Sequence, residues 1–239
     1  MKKKELSLRE LDEIGEELAR DYSRGRESMN ADCFDIEGFT REYLGLDIRD
    51  EWIAEGDPDV IGFLADGEDH LIVLRNGEPE PVVFPKGTVV LDRSLLRRGQ
   101  SGRRRFTMAH EAAHEVLRRL YQRQGSGRCR RNLSVYDGHD QVERRDYGEV
   151  QADRLGAAYM MSRSRLENSL RKYHDGTPVL CYGSGVIPLQ EKRKIQKMAD
   201  AMGVSYTALL IQLKEQGMVE QRSIEEFSRE YITGRRECR

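Results

Sequence analysis

Cysteine is scarce and never closely spaced: the four in these 239 residues, Cys33, Cys129, Cys181 and Cys238, include no CxxC pair. That argues against a cysteine zinc knuckle and a disulfide-framed scaffold, and predicts reduced thiols in a cytoplasmic protein. Long apolar runs are missing as well. None approaches the ~20 residues that span a bilayer, so no membrane partner is expected. The opening MKKKELSLRELDEIGEELAR is basic at its start but lacks the apolar stretch of a secretory signal. Aromatic residues make up 7 % against 34 % charged, which predicts a modest core beneath a heavily charged surface. Histidine is rare too, with five residues, and two of these lie four apart.

The net charge of −2 conceals an asymmetry. Residues 31–70 hold thirteen Asp and Glu against Arg41 and Arg49, whereas residues 93–131 hold twelve Arg against Glu111 and Glu115. Two opposed faces that partly neutralise each other account for this equally well as a basic surface that attracts an acidic protein segment or nucleic acid.

Periodicity predicts an α+β chain. Leu6, Leu8, Leu11, Ile14 and Leu18 mark one face of a helix within residues 1–25, and a second helix is expected over 33–46. Short strand-like runs follow, VIGFLA and HLIVLR on either side of an Asp66-Gly67 turn, then PVVF and TVVLD around Pro85-Lys86-Gly87. From about 103 the period lengthens, and Phe106, Ala109, Ala113, Val116 and Leu120 form a helical stripe. A polar linker (124–146) leads to helices near 147–161 and 163–173. Two more, 188–202 and 205–217, are joined through Gly203 and Ser205, a C-terminal stop and an N-cap, and a charged tail closes the chain. The expected organisation is an N-terminal helix (1–25), a core (26–175) and a C-terminal helical segment (176–239) packed on it.

The chemistry concentrates in RRRFTMAHEAAHEVLRRLYQ. His110 and His114, at i and i+4, project from one helix face, so both imidazoles can reach one ion with Glu111 beside it. A catalytic zinc usually keeps three protein ligands and an open position. His139 is available as the third, but it sits in a polar loop. Glu149, in YGEVQADRLGAAYMM, is better placed, because Asp153 lies four residues on and can take the free ring N–H of a histidine ligand. Glu143 is a rival whose i+4 neighbour is Tyr147. The oxyanion donor stays open among Arg131, Tyr136, His139 and Tyr159.

RFTMAHEAAHEVL followed by EVQADRLGAAYMM resembles the ImmA/IrrE family of metallo-endopeptidases. The likeness extends to DIEGFTREYLGLDI upstream and KMADAMGVSYTALLIQLKEQGMV downstream, roughly residues 30–220. It implies a zincin-like fold, Zn²⁺ held by His110, His114 and Glu149, and Glu111 as catalytic base. Ala113 stands where the family usually has Gly, Leu155 where Phe is common, and Ser162 where a Pro is expected. The resemblance also implies a protein substrate, a transcriptional repressor cut to switch on a stress response or the transfer of a mobile element.

A different class of function competes. KMADAMGVSYTALLIQL has a helix–turn–helix arrangement compatible with a DNA-binding regulator; a further reading is a repressor-binding protein that cuts nothing and whose zinc is structural, against which stands the intact Glu111. Against DNA reading, its second helix is apolar at Ala208, Leu209, Leu210, Ile211 and Leu213, where a recognition helix carries polar side chains.

Overall fold

Helix α1 (Leu8–Ser23) starts at a capping box, in which the Ser7 side chain accepts from the Glu10 backbone N–H and Glu10 reaches back to the Ser7 N–H. The computed structural model describes residues 6–24, 32–123 and 147–234. The buried stripe of α1 is Leu11, Gly15, Ala19 and Tyr22, while Leu8 is exposed. It is rotated from the leucine-rich face expected, because α1 lies flat against α4 (Tyr147–Met160) through small residues. A Cβ on Gly15 would come within 2.5 Å of the Ala158 Cβ, so only glycine permits this approach. An Asp12–Arg154 ion pair fastens the same two helices.

A short helix α2 (Ile36–Gly38), capped by Asp35, continues into a π turn over Phe39–Tyr43. Phe34, Phe39 and Tyr22 pack edge-on and tilted against one another, and Tyr159 of α4 closes the aromatic cluster.

Strands β1 (Asp47–Glu51), β2 (Gly62–Leu64) and β5 (Thr88–Asp92) form one sheet in the order β1-β5-β2. β1 runs parallel to β5 and β2 antiparallel to it. β5 is buried throughout, as the central strand of a sheet covered by a helix should be. β3 (His70–Arg75) and β4 (Glu78–Val83) make a separate hairpin. The strands flanking Asp66-Gly67 therefore do not pair with each other, nor do those flanking Pro85-Lys86-Gly87. Both sites are turns, with Gly67 and Gly87 at positive φ, but each passes the chain between sheets. The true hairpin turn is Asn76-Gly77, both at positive φ, the pairing whose twist suits a two-residue loop. Helix α3 (Ser101–Arg123) packs on β2 and β5 on one side and on α4 on another.

The chain divides into two compact units, Met1–Ser162 and Arg163–Arg239. The N-terminal helix thus belongs to the first unit, and the second begins earlier than the expected boundary near 176, since α5 (Arg163–Tyr173) packs on α6 (Leu189–Met202). Gly203 ends α6 in the left-handed conformation, and Ser205 caps α7 (Tyr206–Glu215). Inside this unit His174 is buried, with one ring nitrogen 2.7 Å from Glu191 and the other 3.0 Å from the Thr177 carbonyl. The expected charged tail is folded over most of its length. β7 (Val219–Arg222) pairs in parallel with β6 (Val179–Tyr182), and α8 (Ile224–Phe227) follows. Its apolar residues were hidden among charges, yet Phe227 and Tyr231 pack against the Tyr182 ring. The architecture is mixed α+β with small sheets. No helix among the described residues is long and apolar enough to cross a membrane.

Candidate metal centre

α3 is buried on every side from Thr107 to Leu117, so its polar residues in that span face protein. Ala109, Ala112 and Ala113 are fully enclosed, which lets neighbouring elements close in. α4 makes the closest approach. A Cβ on Gly156 would lie 3.3 Å from the carbonyl carbon and oxygen of Ala109 and 3.4 Å from the His110 nitrogen. Glu149 and Asp153 precede Gly156 by seven and three residues, so the face that touches α3 also carries both carboxylates.

The result is a cluster of His110, His114 and Glu149 whose ligand-type atoms lie within 4.8 Å of one another, a group that can hold a metal ion. His110 Nε2 is 3.0 Å from His114 Nε2 and 3.0 Å from Glu149 Oε2, and His114 Nε2 is 3.4 Å from Glu149 Oε1. Atoms bound at the usual ~2.0–2.1 Å to one tetrahedral ion stand about 3.3 Å apart, so these separations fit a shared ion. Glu149 Oε1 is buried and its nearest partner is His114 Nε2 at 3.4 Å, so both carboxylate oxygens face the imidazoles. The donor set of two imidazoles and one carboxylate suits zinc chemically.

Asp153 Oδ1 is 2.8 Å from His110 Nδ1. A proton on Nδ1 donated to that carboxylate leaves the Nε2 lone pair directed at the shared position. Burial alone would lower the His110 pKa, but the hydrogen bonds to Asp153 and Glu149 and the charge of Glu111 prevail and raise it to about 10. For Glu149, burial raises the pKa, and the hydrogen bonds and charges of His110 and His114 outweigh it, bringing it to about 2. Asp153→Asn is expected to weaken metal affinity by about ten- to a hundred-fold, the usual scale for the group behind a ligand histidine. A competition titration against a chelating dye reads this directly, and unchanged affinity would make Asp153 a surface charge.

Glu111 is wholly buried. β2 presses against it, because a Cβ on Gly62 would fall 2.6 Å from Glu111 Oε1 and 2.6 Å from Thr107 Cγ2. Gly62 was not singled out in the sequence, although a glycine inside a strand-like run is a signal of close backbone approach.

Of the four candidate oxyanion donors, Arg131, Tyr136 and His139 lie outside the described residues, as does the rival ligand Glu143. Tyr159 is fully buried and its hydroxyl donates to the Ala109 carbonyl, so that group fastens α4 to α3. Burial, and then the charge of Glu111, push its pKa well above the ordinary phenol value, so it stays a donor. Compared with known proteins, the chain matches no protein-family model and no curated sequence.

Proposed function

We propose that this protein is a cytoplasmic zinc-dependent endopeptidase, similar to the ImmA/IrrE family, with a zincin-like first unit. On this reading it hydrolyses one peptide bond in a specific protein, a transcriptional repressor. The observation that carries the reading is the convergence of His110, His114 and Glu149 on one position, with a buried glutamate next in sequence to the first histidine. Zinc, when bound, would supply Lewis acidity to a water and to the scissile carbonyl. Glu111 is the base in this account. Its carboxylate takes a proton from the attacking water as the new C–O bond forms, then passes that proton to the leaving amine as the C–N bond breaks. Asp153 keeps the His110 ring oriented throughout, and the burial of Glu111 keeps bulk water from competing for the proton.

A DNA-binding regulator is the second reading, favoured by the α6–Gly203–Ser205–α7 arrangement. Leu209, Gln212 and Leu213 of α7 are buried, and its exposed residues are Thr207, Ile211, Lys214 and Glu215, a face with a single cation to set against DNA phosphates. One experiment separates the two. The zinc-loaded protein is incubated with the repressor encoded beside its gene, with and without a chelator, and in parallel with duplex DNA. Cleavage that the chelator abolishes is expected. An intact repressor together with a salt-sensitive DNA shift would favour the regulator.

A further inference from the structure

Beside the metal centre, the first unit carries an open pocket of about 540 Å³ lined by Asp50, Trp52, Arg93, Leu96 and Arg97. Trp52, the sole tryptophan, is 40 % exposed and Leu96 57 %, so the two apolar walls face solvent. Those walls are rigidly held. The Asp92 carboxylate accepts from the Ile53 N–H at 2.9 Å and from the Ser94 N–H at 2.8 Å, which ties the exit of β1 to the 3₁₀ turn Arg93–Leu96. The Trp52 carbonyl also accepts from the Leu74 N–H at 2.8 Å.

The charge of the pocket is positive. Asp50 is already engaged by Arg104 at 3.0 Å. Arg93 spends its Nε on the Asp50 carbonyl, and Arg97 has no carboxylate partner among the described residues. Two guanidinium groups therefore flank an exposed indole and leucine, a combination suited to a carboxylate beside an apolar side chain.

Its position relative to Glu111 follows from register. Asp50 pairs with Leu91, and Leu91 pairs with Gly62, the residue against Glu111. Two strand spacings of about 4.8 Å put Asp50 roughly 10 Å from Gly62. α3 agrees independently: Arg104, bound to Asp50, and Glu111 are seven residues apart, about 10 Å of helix. Both side chains lie on the α3 side of the sheet. An extended peptide covers that distance in about three residues.

We propose that this pocket docks an acidic residue, next to an apolar one, about three residues from the bond that is cut. The inference rests on the peptidase reading for the bond, and on the pocket alone for the acidic segment. A peptide is favoured over single-stranded nucleic acid because the walls offer one indole and one leucine rather than a row of aromatic rings for stacked bases, and one polypeptide spans both places.

Trp52 provides the readout, since all tryptophan emission comes from it. Metal-free protein is titrated with a short peptide alternating leucine and aspartate, with its asparagine counterpart, and with oligothymidine. The aspartate peptide is expected to shift the emission, the asparagine peptide to bind about tenfold more weakly, and Arg97→Ala to bring the aspartate peptide down by a similar factor. No emission change with the aspartate peptide, or tighter binding of oligothymidine, would overturn the proposal. Because this assay needs neither metal nor cleavage, peptide binding in a protein that cuts nothing would sink the peptidase reading and leave the acidic dock standing.

Discussion

Glu111→Gln is expected to keep its zinc and lose its cleavage. The amide is nearly isosteric with the carboxylate, and Glu111 is not among the residues that converge on the ion position, so folding and metal content should stay near wild type. The amide has no basicity at neutral pH. Peptide-bond cleavage should therefore fall by at least the ~10²–10⁴ attributed to a positioned general base. The buried setting strengthens the expectation, because nothing from bulk solvent readily takes the place of that proton acceptor. Wild type and variant are compared for zinc content, for repressor cleavage on a gel and for induction of the controlled genes. If the zinc-loaded, cleavage-dead variant still induced those genes, the peptidase reading would be wrong and the effect would run through binding.

Removing Glu149 attacks the other half of the site. Glu149→Ala leaves two histidines, withdraws the carboxylate that meets both, and should cost most of the bound zinc, whereas Glu143→Ala should cost none. Elemental analysis of the two purified variants measures this. Stoichiometric zinc in the Glu149 variant would transfer the third ligand elsewhere, with His139 the first residue to examine.

The helical part of this molecule was legible because its information is local. The four-residue spacing of His110 and His114, and again of Glu149 and Asp153, states which side chains share a face without reference to anything distant. Gly203 and Ser205 likewise mark their helix ends by their own backbone needs. Strand pairing was not legible in the same way. That β1 runs parallel to β5 across forty residues depends on where both chains find buried neighbours, and no dipeptide encodes it. Asn76-Gly77 is the exception, a local hairpin signal that lies between two turns of similar composition. Gly62 and the Trp52 pocket depend on contacts between elements remote in sequence. The strand β7 and helix α8 were masked by charged residues on their exposed faces.

The glycines that flank α4 have a consequence for heredity as well as for geometry. Gly15 meets Ala158 on one side of that helix, where a methyl group would clash, and Gly156 meets the Ala109 backbone on the other, where a methyl group would fit only if the backbone gave by a few tenths of an ångström. Glu149 and Asp153 ride on α4, and the histidines ride on α3. The width of the ion position is therefore set by main-chain contact at Ala109 and His110 rather than by the ligand side chains alone. A selection for activity across random variants would group Gly15 and Gly156 with the histidines, although neither glycine carries a functional group.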